Sequence, residues 1–237
     1  MAILANCSKF LFYSKTLGAS FEKTLMLGRL ELYVTQNEIR NQISFFGNNE
    51  KKIDEIKFPD KYAEPLFQIL GASVVDSIDY SDYEHATIIH DLNNPFPDNL
   101  KNKYTVVMDG GTIEHVFNFP MAIRNCMEAL QPGGHYIGIT PANNLMGHGF
   151  YQFSPELYFR VFSPEFGFMV KKICLVTQDS NGQFSDWYEV TDPVKVRNRI
   201  MITNSKQTYL MVLAQKTQTV DLKNFIPLQS DYETRWA

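Results

Sequence analysis

Short apolar runs closed by a carboxylate or a glycine recur along this chain, with stretches of helical period between them. Residues 104–108 are a β-branched apolar run that stops at Asp109-Gly110-Gly111, the pattern of a parallel strand covered on both faces. From Pro120 the apolar positions Met121, Ile123, Met127 and Leu130 return at helical spacing. Pro132-Gly133-Gly134 then removes a donor and permits positive φ, which predicts the helix end there. Residues 136–139 read as the next strand, so the stretch is a βαβ unit. The same reasoning predicts strands over 23–32, 73–80, 86–92, 168–177 and 208–214. Helices are predicted over 35–46, where Thr35 and Glu38 form a capping box beneath Ile39, Ile43 and Phe46, and over 62–70, ending at Gly71. A further helix opens at Ser154 with Pro155 in its first turn. Residues 1–22 show no regular pattern beyond the cluster Phe10, Leu11, Phe12 and Tyr13, and residues 47–52 read as a polar loop.

Chemistry enters at the strand ends. Asp79, Asp91 and Asp109 each close a strand, and ligands of open α/β sheets sit outside the carboxyl ends of the strands. Three carboxylates in register predict a polar cleft above an apolar sheet. Asp79 reads as a ribose contact or as the cap of the turn at 81–84. His90 alternates with Asp91 and is expected in a packed layer. Glu114 beside His115 has three readings: a carboxylate orienting a general base, two donors for a divalent cation, or a pair that only shapes its loop. The loop at 141–153 leaves a strand end on the ligand side and is rich in amides, glycines and rings. There His148 is a candidate base, Tyr151 a catalytic donor or stacking partner, and Asn143, Asn144, Phe150 and Gln152 candidate substrate contacts. A rigid Gly-His-Gly turn whose aromatics plug the sheet edge is the alternative.

Length and charge narrow the class. The 237 residues suit one domain over 1–237, with an N-terminal segment at 1–22 and a C-terminal tail at 215–237. Aromatics make up 14%, a surplus that favours a binding cleft or self-association. A net charge of −4 without a Lys/Arg block gives no footprint for nucleic acid or an anionic membrane, so neither is expected as a partner. Cys7, Cys126 and Cys174 lie far apart and outside metal spacings, and Cys126 in its helix and Cys174 in its strand read as buried thiols of a reducing compartment. Without a signal-peptide pattern or a long apolar run, a cytoplasmic location is expected. The tail, with Trp236, is a candidate for self-association into a homo-oligomer.

The stretch "DGGTIEHV" followed by "CMEALQPGGHYIGITP" resembles the fourth- and fifth-strand region of class I S-adenosylmethionine-dependent methyltransferases, especially the branch of ubiquinone-biosynthesis O-methyltransferases. The resemblance covers about a third of the chain well. It implies a Rossmann-like, doubly wound α/β fold with a mostly parallel seven-stranded sheet in the order 3-2-1-4-5-7-6, helices on both faces and S-adenosylmethionine as cofactor. It assigns Gly28 and Arg29 to the cofactor loop, Asp79 and Tyr80 to the ribose, Asp91 and Leu92 to the adenine, and Asp109-Gly110-Gly111-Thr112 to the floor between cofactor and acceptor. The glycine-rich loop is degenerate, with Gly28 alone. In some relatives a Glu-x-x-Glu-His holds a metal, but Gly111 takes the first Glu position and no metal is expected. The implied activity is methyl transfer to a small or sugar-like hydroxyl acceptor. The alternatives are a non-catalytic binding or assembly protein of the same fold and an enzyme for another nucleoside-bearing ligand.

Overall fold

The structure is a computed structural model and describes residues 2–47 and 51–233. The chain begins with a short strand β1 (Ala2–Leu4) and a helix α1 (Ala5–Thr16), followed by β2 (Lys23–Leu27) and β3 (Glu31–Tyr33). Gly28, at φ +72°, turns the chain between β2 and β3, so the single strand expected over 23–32 is two. β3 pairs in parallel with β1 in a small separate sheet. Three helices follow, α2 (Gln36–Phe45), α3 (Lys51–Glu55) and α4 (Glu64–Leu70). The Thr35–Glu38 capping box is formed, and Gly71 closes α4 at φ +111°. α4 starts two residues later than expected, at Glu64 with Pro65 in its first turn.

The main sheet is built from β4 (Val74–Asp79), β5 (Ile88–Ile89), β6 (Tyr104–Asp109), β7 (Leu130–Asn143), β8 (Phe168–Gln178), β9 (Tyr188–Glu189) and β10 (Gln207–Lys216), together with β2. Its order is β5-β4-β2-β6-β7-β10-β8-β9. It has eight strands rather than seven: Tyr188–Glu189 adds an antiparallel strand outside β8, while the other seven lie in the order 3-2-1-4-5-7-6. β5, β4, β2, β6 and β7 run parallel, and β10 is antiparallel to both β7 and β8.

Alternate side chains of each strand enter two cores. Val107, Tyr136, Leu175, Leu210 and Val212 face one, under α5 (Phe119–Ala129) and α6 (Pro155–Val161). Val106, Met108, Ile137, Cys174, Val176, Met211 and Leu213 face the other, under α1, α2 and α4. The N-terminal segment, read as irregular, is therefore a structural layer: Phe10, Leu11 and Phe12 of α1 are buried against the sheet. Its helical period is hidden because Ser8 and Ser14 are buried too, the latter by donating to Phe10 O at 2.8 Å.

Two boundaries also differ. α5 ends at Ala129 without a glycine cap, because Leu130 already pairs with Tyr104 in the sheet. Pro132-Gly133-Gly134 lies in an irregular widening of β7 against β6, with Gly133 at φ +84°. After Lys216 the chain lays Val220, Leu222 and Phe225 against its own core, while most of the described residues around them, Ile226 and Leu228 included, are exposed, and the final α8 (Ser230–Glu233) meets α7 (Pro193–Val196). Trp236 lies outside the described residues. Among the described residues no helix is long and apolar enough to cross a membrane.

Candidate functional site

Two cavities open beside each other at the carboxyl ends of the parallel strands, and His115 lines both. The first, of about 370 Å3, is lined by Gly28, Ile78, Asp79, Tyr80, His90, Asp91, Leu92, Asn93, Thr112, His115 and Val116. It gathers Gly28, Asp79, Tyr80, Asp91 and Leu92 from the ends of three neighbouring strands. Asp79 accepts one bond among the described residues, from Ser81 N at 3.3 Å, so its carboxylate retains acceptor capacity toward the cavity. Asp91 is engaged by its own turn, through Asn93 N at 2.9 Å and Asn93 Nδ2 at 2.7 Å, and these bonds hold its carboxyl below the usual range. His90 is not in a packed layer: it stands at this cavity's rim with its edge on the Phe96 ring.

The second cavity, of about 280 Å3, lies over Gly110 and Gly111 at the end of β6. Its walls are mostly apolar, from Leu4, Ile139, Val176, Phe184, Tyr209 and Met211, and its polar groups include Glu114, His115, His148 and Asn6. Three of the four catalytic candidates thus converge. His148 Nε2 is 3.4 Å from Glu114 Oε1, and the two imidazole rings meet edge to face at 4.9 Å between centroids. Glu114 is fully buried, and burial raises its pKa, with the Asp109 carboxylate adding to the rise. Among the described residues, neither of its carboxylate oxygens has a hydrogen-bond donor. The His115 pKa is lowered, first by partial burial and then by His148.

The local chain explains this convergence. Asp109 Oδ1 accepts from Thr112 N at 2.8 Å, and Thr112 Oγ1 donates to Leu27 O at 2.6 Å, which folds residues 110–115 tightly over the ends of β2 and β6. The loop after β7 is then drawn onto that turn: Phe150 N donates to Glu114 O at 2.7 Å. Gly149, at φ +74°, makes the approach feasible, since a Cβ there would stand 2.8 Å from Glu114 O.

The remaining candidates have other work. Asp109 lines neither cavity; it is fully buried, bonded also by Tyr136 Oη at 2.9 Å, and its pKa is raised by that burial. Arg29 does not line the first cavity, with Nε on Glu64 at 2.6 Å and its guanidinium over the Tyr62 ring. Tyr151 donates to Phe117 O at 2.7 Å and lines neither cavity, so its hydroxyl anchors a loop. Asn143, Asn144, Phe150 and Gln152 also line neither: Asn144 Nδ2 ties its loop to Lys206 O at 2.8 Å, Gln152 Oε1 accepts from Leu145 N at 2.9 Å, and Phe150 meets Phe117 edge on. Of the candidates in this loop, His148 lines the second cavity.

Residues that the sequence reading did not place at a site are Ala2, Leu4, Asn6 and Cys7, which line the second cavity, and Asn93 in the first.

No protein-family model matches this chain, and no curated protein matches its sequence. Solved structures with similar shape include an S-adenosylmethionine-dependent methyltransferase from Archaeoglobus fulgidus, at 12% identity and TM-score 0.46 over 90% of this chain and 95% of that one. TehB from Haemophilus influenzae is similar at 15% identity and TM-score 0.43, over 87% of this chain and 61% of its own length. The branched-chain polyamine synthase of Thermus thermophilus, solved with N4-aminopropylspermidine and 5'-methylthioadenosine, is similar at 11% identity and TM-score 0.46, over 94% of this chain and 59% of its own. The chain therefore spans about three fifths of the length of the last two. What it binds is decided by its own cavities.

Proposed function

We propose that the chain is a methyltransferase that uses S-adenosylmethionine to methylate a hydroxyl group of a small acceptor. The observation that carries this reading is a pair of adjoining cavities, one edged by the carboxylates of Asp79 and Asp91 and the other apolar with a Glu-His-His end, meeting at His115. A nucleoside fits the first because Asp79 keeps acceptor capacity for a ribose diol while Ile78, Leu92 and Val116 supply apolar walls for a base. Asp79 with Tyr80 would hold the ribose, Asp91 and Leu92 the adenine side, and Gly28 the bend beneath. Gly110 and Gly111 would form the floor toward the second cavity. The cofactor, when bound, supplies an already activated methyl group, so alignment of the acceptor and loss of its proton are what the chain must provide. The mostly apolar walls hold a ring or short hydrocarbon better than a sugar, with its hydroxyl turned to Glu114, His115 and His148.

A non-catalytic protein of the same fold is the second reading. It is favoured by the degenerate loop: Leu30 is fully buried with its side chain pressed against Gly110, 2.9 Å from where a Cβ there would be. The deciding experiment is calorimetric titration with S-adenosylmethionine and S-adenosylhomocysteine. Micromolar binding is expected, weakened by about 1.5–3 kcal/mol in Asp79→Ala through loss of a charge-assisted hydrogen bond. A folded protein that takes up neither ligand sinks the methyltransferase reading in favour of the second one. Binding that Asp79→Ala leaves unchanged removes the ribose assignment.

A further inference from the structure

We propose that Glu114, His115 and His148 form a binding site for one divalent transition-metal ion of the zinc class. Each offers a donor atom, and the three atoms lie within 4.8 Å of one another. His148 Nε2 and Glu114 Oε1 are already 3.4 Å apart. Two donors in a tetrahedral zinc site, each bonded at about 2.1 Å, stand about 3.4 Å apart, so this pair needs no movement. His115 and His148 are both exposed, which leaves their rings room to adjust to an ion.

The independent observation is the carboxylate. Glu114 is 0% exposed, lines the second cavity and, among the described residues, accepts no hydrogen bond at either oxygen. A buried carboxylate in that condition is costly, and a cation at its open side offsets the cost. An ion pair with His148 alone would leave Oε2 and the adjacent His115 unused. The donor set also selects the ion. Two imidazoles and one carboxylate suit zinc, cobalt or ferrous iron, whereas magnesium and calcium require oxygen ligands. Three protein donors leave a position open, and here it faces the apolar cavity, the arrangement of a catalytic rather than a structural metal site. An acceptor hydroxyl bound there would lose its proton more readily.

The third donor comes from a different loop than the first two. Gly111, at φ +93° and with a Cβ position 3.0 Å from Glu114 Oε1, leaves no room for a longer side chain there. His148 reaches the same carboxylate from the other side, held by the Phe150 and Tyr151 amides that donate to Glu114 O. The site stands whether or not the chain binds S-adenosylmethionine.

Its test needs no turnover. The full chain, stripped with a chelator, is titrated with Zn2+ by calorimetry and with Co2+ by visible absorption, alongside His115→Ala and His148→Ala. One ion per chain is expected, with a cobalt d–d spectrum of low coordination number and no uptake of Mg2+. Loss of an outer partner of a metal ligand already costs about 10–100-fold in affinity, so removing either ligand is expected to cost more than about 100-fold. Both histidines are exposed, and unchanged circular dichroism will confirm that the variants fold. Absence of Zn2+ and Co2+ binding to the wild-type chain overturns the site, as does equal binding by the wild type and both variants.

Discussion

Glycine at 149 does more for the site than any of the amides beside it. It adopts φ +74°, and a Cβ there would stand 2.8 Å from the Glu114 carbonyl oxygen, a backbone atom that cannot step aside. Gly149→Ala is therefore expected to destabilise the chain by about 1–3 kcal/mol in urea unfolding, through backbone strain and the displaced loop. Because His148 rides on that loop, Zn2+ affinity should fall as well while affinity for S-adenosylhomocysteine is kept; a loss of both would mean that the two cavities share one support. At this scale legibility followed the origin of each side chain's surroundings. Asp79, Asp91, Glu114, His115 and His148 follow strands, and each of them lines one of the two cavities at the sheet's carboxyl edge. Asp109 has the same sequence context and is nevertheless enclosed, by Thr112, Ile113 and Tyr136, the last of which comes from the neighbouring strand. Nothing local to Asp109 reports that Tyr136 hydroxyl.

Among the elements, the end of α5 depends on a strand far away in sequence. Lys216, the last residue of β10, sends its ammonium to Met127 O at 2.9 Å, Leu130 O at 2.7 Å and Asn102 Oδ1 at 3.1 Å. It thereby takes the place of the glycine cap expected at 132–134, satisfying carbonyls that a helix end leaves open. Burial lowers the Lys216 pKa to about 8 from an ordinary 10.5. Between those values the unfolded chain binds more protons than the folded one, so this group makes stability rise with pH through that window. Lys216→Met should remove that dependence and destabilise the chain by about 1–3 kcal/mol near neutral pH, because the carbonyls lose their donor. Urea midpoints measured from pH 7 to 10 will show it; parallel curves for the two proteins would mean that the carbonyls, not the charge, dominate. Elements with their own signals were legible. The Thr35–Glu38 box, Gly71 after α4 and Ser154-Pro155 before α6 work through neighbours within four residues. α1 was not legible, since both apolar and serine side chains are buried around it by α2 and the sheet.

For the whole molecule, the two cavities are walls shared by many elements, so a ligand that fills one should stabilise the complete domain. S-adenosylhomocysteine at about a hundred times its Kd is expected to add about 2.7 kcal/mol, which raises the melting temperature of a chain this long by about 5–10 °C. A thermal scan with and without the ligand measures this, and an unmoved midpoint at saturating ligand would contradict binding to the native state. The alternation of buried runs and helical stretches contained the βαβ progression, because period is a local property, whereas the order of seven strands was implied only by the resemblance to class I methyltransferases. The eighth strand, Tyr188–Glu189, is only two residues long and exists through its pairing with Cys174 and Leu175. The roof of the second cavity is likewise a matter of return contacts, with residues 2–7 brought over β7, β8 and β10 when α1 packs on the sheet. Residue type and spacing thus specified which strand ends would carry chemistry. Which carboxylates face a ligand, which are sealed, and that His148 meets Glu114 were decided by contacts between segments distant in sequence, where burial and the shape of neighbouring elements, rather than local preference, set the environment of each group.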